Sequence, residues 1–519
     1  MEISALYKCF TECGCVTTDT RNCPEGSMFF ALKGASFNGN AFALQALEKG
    51  CRYAVVDEAM YAEAGNPNII LVDNCLNTLQ QLAAYHRRVL GTRMIGITGT
   101  NGKTTTKELI ATVLKQKFNV LYTQGNLNNH IGVPLTLLKL TPEHDIAVVE
   151  MGANHPGEIE ILTNIAQPDY GIITNVGKAH LEGFGSFEGV IRTKGELYDY
   201  IRNKGGIVFI QNENPYLNGI LNGLQCVRYG ESEGIFVTGH LVSCSPFLTF
   251  AWKSSADNMI NAESTVIAGN PVNEVMSESG QNQKYDSYHS VSTHIIGSYN
   301  LDNALAAVAI GKYFGVDDND ICSALSAYIP QNNRSQLVET NSNKLVVDAY
   351  NANPTSMSAA IMNFRLIDAP HKMVILGDMK ELGESSIEEH IRILKMLIES
   401  HFDRVILVGP EFCAAQKNFI INESQFTLSG NHIDSDISES SITSETSEIL
   451  EVSERPDKSV NLGNALLDNT LCKCNVSTFE HYEDVHRLGD VLSHNKPLGY
   501  TILIKGSNSM KLSILSEIL

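Results

Sequence analysis

The sequence predicts an α/β protein of three domains: a small N-terminal α/β domain, a central doubly wound domain of the P-loop type and a C-terminal Rossmann-like domain. Three observations support this fold class. The 519 residues are too many for one hydrophobic core. Short apolar runs alternate with amphipathic helical segments along the chain. A glycine-bearing loop also joins an apolar run to a helix near residue 100.

The composition narrows the possible partners and location. The 38 Lys and Arg against 58 Asp and Glu give a formal net charge of −20, which argues against nucleic acid or an anionic membrane. No apolar run reaches the ~18 residues of a membrane span, and the first ten residues lack a signal-peptide pattern. We therefore expect a cytoplasmic protein without membrane insertion. The 12 cysteines lack zinc-site spacing, so reduced thiols are expected.

The first domain is predicted at residues 1–91. Apolar runs indicate strands at 28–32, 53–56 and 69–72, and helical periodicity indicates helices at 41–49 and 76–89. Polar turns next to these strands contain Thr20, Arg21, Asn38 and Gly39. These turns fit a purely structural role as well as a binding role.

The central domain is predicted at residues 92–330, with strands at 94–98, 146–150, 170–174 and 207–210. Each of these strands ends at polar residues. In open parallel sheets ligands bind at the carboxyl ends of the strands, so the residues after these runs are candidates for the site. A polar stretch at about 254–290 is predicted to be an inserted surface loop.

The third domain is predicted at residues 331–519, with strands at 344–347, 373–376, 404–408 and 500–504. The turn at 377–383 repeats the pattern of a strand followed by polar residues. A low-complexity insertion is predicted at about 427–478, because this Ser-, Glu- and Asp-rich segment contains no aromatic residue and little apolar surface to bury.

The loop at 99–105 predicts a site for phosphate groups. Its glycines can free backbone N–H groups to face phosphate oxygens, Lys103 adds a positive charge, and the Thr104 hydroxyl can hold magnesium. Ile97 stands where the strict nucleotide-loop pattern has glycine, so the loop alone leaves a chance match open. The candidate residues are Gly99, Thr100, Asn101, Gly102, Lys103, Thr104 and Thr105.

Two polar side chains follow predicted strands of the central sheet. Glu150 ends an apolar run, and from there its carboxylate can bind the magnesium of a nucleotide. A helix-capping or ion-paired glutamate is the structural alternative. His180 lies in a loop of small residues after the next strand. A single loop histidine is usually a surface group, so its interpretation as a metal ligand depends on its neighbours.

Lys194 lies on the inward face of a predicted helix. The helix after Ser186 has one apolar face, formed at helical spacing by Phe187, Val190, Ile191, Lys194, Tyr198 and Ile201. An unpaired buried ammonium is costly. Three outcomes stay open: the amine pairs with an acid, reaches water through its flexible stem, or becomes an anionic carbamate that could bind magnesium.

Polar residues on both sides of the second domain boundary could reach a nucleotide bound across a cleft. Asn300 and Asn303 open a helix of small residues, where their amides either cap the helix or read the edge of a base. Arg334 and Asp348 flank the predicted hinge. Domain closure could therefore bring both side chains to the nucleotide.

Four stretches, in this order, resemble the Mur ligases of peptidoglycan synthesis. They are 125–134 (GNLNNHIGVP), 150–154 (EMGAN), 179–185 (AHLEGFG) and 348–354 (DAYNANP). The resemblance covers nearly the whole chain apart from the two polar insertions, and a chance match to all four stretches is not credible. The chain is thereby identified as a member of that family.

The resemblance implies a UDP-sugar-binding first domain, a central ATPase domain and a third domain that closes on ATP and receives the incoming dipeptide. It implies ATP and Mg²⁺ as cofactors, with a carbamylated lysine at Lys194. It assigns ATP contacts to the loop residues together with Asn303 and Arg334. It assigns the metal to Thr104, Glu150, His180 and Lys194, and catalytic roles to Lys103, His180 and Lys194.

The resemblance also implies the substrates. The enzyme would be an ATP-dependent amide ligase that joins D-alanyl-D-alanine to UDP-N-acetylmuramoyl-tripeptide through an acyl phosphate. We expect it to be a monomer. The implied substrate contacts are Thr20, Arg21, Asn38, Gly39, Asn128, Asn129, Asp348, Tyr350, Asn351 and Asn353. Two positions depart from the family pattern: Tyr299 stands where histidine is frequent, and Asn333 where serine is usual.

Two alternatives remain at this stage. A family member that adds a single amino acid, diaminopimelate or lysine, usually carries an Asp-Asn-Pro-Arg motif, which this sequence lacks. A P-loop ATPase that is not a ligase would leave the asparagine-rich segment 126–129 and the whole third domain without a role.

Overall fold

The computed structural model describes residues 2–62, 66–255, 288–331, 334–429 and 478–519. Asn333 and most of both predicted insertions lie outside these described residues. The described chain forms three α/β units, each built on one sheet, and the predicted three-domain α/β fold is confirmed. Each sheet falls within one predicted domain range, while the domain boundaries themselves stay predictions.

The first sheet has four parallel strands in sequential order. Its strands are β1 (Val16–Thr17), β2 (Met28–Phe30), β3 (Tyr53–Val56) and β4 (Ile69–Leu71). Its helices are α1 (Ile3–Thr11), α2 (Ala43–Glu48) and α3 (Cys75–Leu90). The Asn74 side chain caps α3 by accepting the N–H of Asn77, and Gly91 ends it with a left-handed φ of 66°.

The central sheet has nine strands in the order β13-β12-β11-β10-β9-β8-β5-β7-β6. The strands are β5 (Arg93–Thr98), β6 (Val120–Tyr122), β7 (Ile146–Glu150), β8 (Tyr170–Ile173), β9 (Ile207–Gln211), β10 (Cys226–Gly230), β11 (Val237–Cys244), β12 (Phe247–Ser254) and β13 (His289–Ile296). The helices are α4 (Lys103–Leu114), α5 (Gly132–Leu137), α6 (Glu158–Ala166), α7 (Leu181–Phe184), α8 (Phe187–Lys204), α9 (Pro215–Asn218), α10 (Leu301–Tyr313) and α11 (Asp318–Ala327).

The far edge of this sheet contains strands that were not predicted from the sequence. β11, β12 and β13 pair antiparallel and extend the parallel part beyond β10. Strand β12 ends and strand β13 begins at the two margins of the insertion predicted at about 254–290. A signal was present in β13, where Val291, Thr293 and Ile295 are buried at the two-residue spacing of a strand.

The buried parallel strands explain why ligand-binding residues collect at one edge. In β5, Met94 packs into the core on one face of the sheet, while Ile95 and Ile97 pack into the core on the other. Both faces of the strand are therefore apolar, which is typical of parallel sheets covered by helices on both sides. Polar side chains can appear only where the strands end, and those ends form the site.

The third sheet has six strands in the order β14-β15-β19-β16-β17-β18, of which only β14 is antiparallel to its neighbour. The strands are β14 (Gln336–Glu339), β15 (Lys344–Asp348), β16 (Lys372–Gly377), β17 (Arg404–Val408), β18 (Glu480–Tyr482) and β19 (Thr501–Lys505). The helices are α12 (Pro354–Leu366), α13 (Ser386–Ser400), α14 (Pro410–Ser429), α15 (Val485–His494) and α16 (Leu515–Ile518). Helix α14 extends into the start of the predicted low-complexity insertion. Across the described ranges, none of the helices has both the length and the apolar composition needed to cross a bilayer.

Candidate active site

A cavity of about 1060 Å³ opens where the three domains meet. The first domain contributes Leu76, Asn77 and Gln80 from α3. Most of the residues predicted for the site line this cavity: Thr100, Asn101, Gly102, Lys103, Thr104, Thr105, Asn128, Asn129, Glu150, His180, Asn303, Arg334, Asp348, Tyr350 and Asn351. Folding therefore brings together side chains that are separated by more than 200 residues in the chain.

The predicted phosphate loop connects β5 to α4 and requires glycine at two positions. Gly99 has a φ of 147°, and a Cβ there would lie 2.0 Å from the Thr174 Oγ1. Gly102 has a φ of 78°, and its Cβ would lie 2.6 Å from the Asn303 Oδ1. Only glycine fits both the backbone and the space. Ile97, the apparent departure from the nucleotide-loop pattern, is instead a fully buried residue of β5.

The Lys103 ammonium folds back over its own loop. Its Nζ donates to the carbonyl oxygens of Gly99 at 2.7 Å and Thr100 at 3.1 Å. Desolvation lowers the pKa of Lys103 to about 8, with the nearby Glu150 carboxylate opposing the shift and Arg334 adding to it. This charge lies beside the N-terminus of α4, where backbone N–H groups favour an anion.

Glu150 is buried at the carboxyl end of β7, with 1% of its surface exposed. Its carboxylate accepts hydrogen bonds from the Thr104 hydroxyl at 3.0 Å and from the Asn128 Nδ2 at 2.8 Å. Thr104 of the loop and Glu150 of the strand, two candidates for binding a metal ion, are therefore in direct contact. Asn128, predicted to contact substrate, is the third member of this polar group.

Lys107 is a buried cation that the sequence analysis did not identify. Its Nζ lies 3.6 Å from the Glu150 Oε2, and the residue is fully buried. The ion-paired alternative for Glu150 is therefore partly correct. The spacing of Lys103, Lys107, Ile110 and Leu114 puts Lys107 on the inward face of α4. Helical periodicity, which predicted an inward position for Lys194, therefore predicts the same for Lys107.

Lys194 is buried as predicted, with 2% of its surface exposed. Helix α8 begins after Ser186, whose hydroxyl accepts the N–H of Gly189. The Lys194 Nζ donates to the carbonyl oxygen of Ala153 at 3.3 Å and lies 5.1 Å from the centre of the Phe184 ring. Within the described residues no carboxylate oxygen approaches it to within 4.0 Å.

This environment disfavours the Lys194 ammonium. Burial, and then the Lys103 charge, lower the pKa of Lys194 to about 7, against the partial opposition of Glu158 and Glu196. The sequence left three outcomes open for the Lys194 amine. In the structure it neither pairs with a described acidic side chain nor reaches water. A large neutral fraction of the amine at neutral pH is what reaction with carbon dioxide requires.

His180 contacts the third domain. It follows β8 in a loop with a left-handed backbone, φ 50°, and its Nδ1 is hydrogen-bonded to the carboxylate of Glu381. Burial lowers the pKa of His180, and the Glu381 carboxylate opposes this shift. Glu381 lies 201 positions away in the chain, so no local pattern connected the two residues.

Asn303 forms a hydrogen-bonded chain rather than a helix cap. Its Oδ1 accepts from the Thr106 hydroxyl at 2.9 Å, and its Nδ2 donates to the Asn300 Oδ1 at 2.7 Å. No side chain caps the start of α10, so the structural alternative for Asn300 and Asn303 is wrong. Tyr299, the first departure from the family pattern, lines the cavity and shares a 2.6 Å hydrogen bond with Ser335.

Arg334 and Asp348, two of the predicted residues, are among the charged third-domain groups that line the cavity. The Arg334 guanidinium lies 4.0 Å from the centre of the Tyr350 ring, a cation–π contact. The Asp348 Oδ2 accepts from the Nζ of Lys505 at 2.5 Å, at the adjacent end of β19. Lys505 is buried and was not anticipated from the sequence.

Two further polar contacts join the central and third domains. The Asn353 Nδ2 donates to the Asn101 Oδ1 at 2.7 Å, which links the start of α12 to the phosphate loop. The Lys178 Nζ pairs with Glu389 at 2.7 Å. These contacts tie the third domain to the phosphate loop and to the segment that follows β8.

The four residues predicted for the uridine end lie apart from this cavity. Among the described residues of the first domain, Thr20, Arg21, Asn38 and Gly39 do not line it. The Asn38 Nδ2 donates to both oxygens of Glu58, and Arg21 pairs with Asp19 at an exposed position. They follow β1 and β2 at the carboxyl edge of the first sheet, so a ligand touching them and the cavity would have to be extended.

The residues around the phosphate loop fit a magnesium ion that is shared with a nucleotide. Mg²⁺ is usually held by one or two carboxylates together with waters and substrate phosphates. In the described part of the chain no three Asp, Glu, His or Cys side chains gather into a complete metal site. A single buried carboxylate, Glu150, in contact with the Thr104 hydroxyl matches the partial ligand set that such an ion needs.

Family models match almost the entire chain. The Mur ligase family, catalytic domain, matches residues 12–87; the Mur ligase middle domain matches 97–311; and the Mur ligase, glutamate ligase domain, matches 333–508. Apart from the first four residues of β5, these ranges contain the three sheets in chain order.

Curated relatives and solved structures agree with these matches. The UDP-N-acetylmuramoyl-tripeptide--D-alanyl-D-alanine ligase of Bacillus subtilis is 36% identical over 76% of this chain and 79% of its own length. The enzyme of the same name from Escherichia coli is 33% identical over 76% of this chain and 81% of its own. The crystal structure of MurF from Acinetobacter baumannii superposes with a TM-score of 0.73 at 25% identity, over 99% of this chain and 97% of that one. The three domains, their order and these identities establish that this chain belongs to the Mur ligase family.

Proposed function

We propose that this chain is an ATP-dependent ligase that adds D-alanyl-D-alanine to UDP-N-acetylmuramoyl-tripeptide. The observation that supports it most strongly is the cavity in which all three domains meet around a phosphate loop. The curated relatives with this activity share over 30% identity along most of the chain. An ADP complex of MurF from Thermotoga maritima has the same fold, with a TM-score of 0.71.

The first step is phosphorylation of the substrate. A carboxylate is a poor electrophile, so an oxygen of the tripeptide's terminal carboxylate attacks the γ-phosphorus of ATP and ADP leaves. The loop N–H groups and Lys103 hold the phosphates and offset the negative charge that grows on the transferred group. Asn303 and Arg334 hold the rest of the nucleotide from opposite sides of the cleft.

Thr104, Glu150 and His180 would hold magnesium, together with Lys194 as its carbamate. The bound ion would neutralise phosphate charge. In carbamate formation the neutral Lys194 amine attacks the carbon of CO₂ and releases one proton, which replaces a costly buried cation with an anion. The low pKa of Lys194 and the absence of a described acidic partner support this modification.

The second step forms the amide bond. The amine of D-alanyl-D-alanine attacks the acyl phosphate carbon, inorganic phosphate leaves with the original carboxylate oxygen, and the amine loses its proton. The contacts between Asn101 and Asn353 and between Lys178 and Glu389 keep the third domain closed. Closure excludes water that would hydrolyse the intermediate. No covalent protein nucleophile is needed.

The nucleotide-sugar substrate would extend from the first domain into the cavity. We assign its uridine end to Thr20, Arg21, Asn38 and Gly39, and its peptide end to Asn128, Asn129 and the third-domain residues Asp348, Tyr350, Asn351 and Asn353. A monomeric state and a cytoplasmic location remain predictions from the sequence.

Phosphate release tests this function. Purified protein with ATP, Mg²⁺ and UDP-N-acetylmuramoyl-tripeptide should release phosphate only when D-alanyl-D-alanine is added, with diaminopimelate- and lysine-containing tripeptides compared. Replacing the dipeptide by free diaminopimelate or lysine, with a dipeptide nucleotide acceptor, tests the single-residue alternative. ATP hydrolysis that is indifferent to every amine acceptor would contradict the ligase assignment.

A further inference from the structure

The contact between His180 and Glu381 crosses the interface between the central and third domains. The imidazole Nδ1 is hydrogen-bonded to the carboxylate, and both residues line the cavity. The His180 side chain is 27% exposed and that of Glu381 is 54% exposed. A contact between partly solvated groups contributes little to folding stability, so its position beside the reaction site calls for another explanation.

The backbone at both residues is unusual. His180 has a φ of 50° and Glu381 a φ of 63°. Left-handed backbone is disfavoured for residues with a Cβ, and it persists mainly where the surrounding structure imposes it. Both residues have a disfavoured backbone conformation, and their side chains meet across a domain boundary. This combination indicates that the contact itself has a role.

The loop that carries Glu381 is held from behind by the core of the third domain. The buried carboxylate of Asp378 accepts the N–H groups of Glu411 and Phe412 at 3.1 and 3.0 Å. The His390 Nε2 accepts the N–H of Met379 at 3.1 Å. The N–H of Lys380 also donates to the Ser507 Oγ at 3.1 Å, so the segment directly before Glu381 is fixed to the third domain. Glu381 can therefore reach His180 only when the third domain as a whole is closed.

We propose that Glu381 is a positioning residue for His180, an inference that rests on the assignment of His180 to the magnesium site. The carboxylate accepts the Nδ1–H of the imidazole and so fixes the tautomer in which Nε2 keeps its lone pair. A histidine ligand generally donates its second nitrogen's proton in this way. Because Glu381 belongs to the third domain, the metal site becomes complete only on closure, which couples phosphoryl transfer to arrival of the domain that binds the dipeptide.

The tautomer of His180 gives a direct test. Nitrogen-15 spectra of histidine-labelled full-length protein, with the His180 signal identified by its loss in His180→Gln, should show a protonated Nδ1 in the wild type. Glu381→Ala should shift His180 toward the Nε2-protonated form. Glu381→Gln retains an acceptor oxygen and should keep much of the wild-type tautomer. An unchanged tautomer in Glu381→Ala would overturn the proposal.

Metal affinity gives the second test. Mn²⁺ binding followed by electron paramagnetic resonance, with a non-hydrolysable ATP analogue present, should weaken about 10-fold in Glu381→Ala and clearly less in Glu381→Gln. Lys178→Gln removes the other interface ion pair and controls for loss of closure. If Lys178→Gln keeps the wild-type tautomer of His180 and still weakens Mn²⁺ binding as much as Glu381→Ala does, the effect does not come from Glu381 and the positioning role is wrong.

The proposed function is tested independently by the wild-type protein. A wild type that shows no dipeptide-dependent phosphate release would contradict the ligase assignment, whatever the tautomer. The other outcome is a wild type that is an active ligase and a Glu381→Ala variant whose His180 tautomer and Mn²⁺ affinity equal those of the wild type. That result would contradict only the role of Glu381.

Discussion

The two faces of the cavity are built differently. On the central-domain side, the lining residue Glu150 and the lysines Lys107 and Lys194 are buried, and the phosphate loop has glycine at two positions where a Cβ would clash. On the third-domain face, Glu381 and Tyr350 are partly exposed. Glu381 contacts His180 of the central domain, while the Tyr350 ring packs against Arg334 of its own domain. The chemistry is therefore organised in advance within one domain, while the other completes it by closing. Substitutions on the central face should reduce turnover, and those on the third face should mainly weaken binding.

Lys103→Met should give the largest effect. It removes the charge that offsets the transferred phosphoryl group, and loss of one such preorganised donor usually costs on the order of 100- to 1,000-fold in kcat. The protein should remain folded, because the ammonium bonds only to carbonyls of its own loop. Steady-state kinetics and thermal unfolding measure the two quantities. A near-normal kcat in Lys103→Met would contradict the expectation that substitutions on the central face reduce turnover.

If Lys194 is a metal ligand as proposed, Lys194→Ala should lower activity by about 100-fold. Short carboxylates such as formate or acetate should restore part of it, because they can occupy the position of the carbamate. The wild type should also lose activity in bicarbonate-depleted buffer at pH 6, where an amine with a pKa of about 7 is mostly protonated and cannot react with CO₂. A variant with full activity would exclude the carbamate.

Tyr350→Leu should have a smaller effect that is confined to binding. The ring stacks on Arg334 at 4.0 Å, and a contact of this kind contributes about 0.5–2 kcal/mol. We expect KM for ATP to rise about 3- to 10-fold with little change in kcat. Tyr350→Phe keeps the ring and should resemble the wild type. A fall in kcat instead would place this residue with the central face.

Asp302→Asn should give the smallest effect, on stability. Burial and the like charges of Glu213 and Glu231 raise the pKa of Asp302 to about 6 from 3.8. The folded state holds this proton more tightly than the unfolded state, so wild-type stability falls as the pH rises from about 4 to about 6. Above pH 6 the variant should be more stable by about 1 kcal/mol, less than the full linkage value because the carboxylate keeps some solvent. Urea unfolding at pH 4 and pH 8 should show this gain only at pH 8, whereas Asp348→Asn, which breaks the pair with Lys505, should destabilise.

Local patterns predicted the parts of this structure that local physics determines. Lys194 was placed inward by helical periodicity, and Glu150 was placed at the end of a buried strand. The same periodicity would have placed Lys107, had it been applied to α4. The pairing of His180 with Glu381 had no signal in the sequence, since it depends on how two domains pack. Strand β13 was missed because exposed Ser290, Ser292 and His294 alternate with its buried residues and leave no continuous apolar run.

The proposed mechanism requires an acyl phosphate to form in this cavity before the dipeptide attacks. Isotope transfer tests it directly: the terminal carboxylate of the muramoyl tripeptide is labelled with oxygen-18, and the released phosphate is analysed by mass spectrometry. The mechanism predicts one labelled oxygen in each phosphate, together with a pentapeptide product. Phosphate without label would mean that water, not the carboxylate, attacks ATP. That result would contradict the acyl-phosphate mechanism.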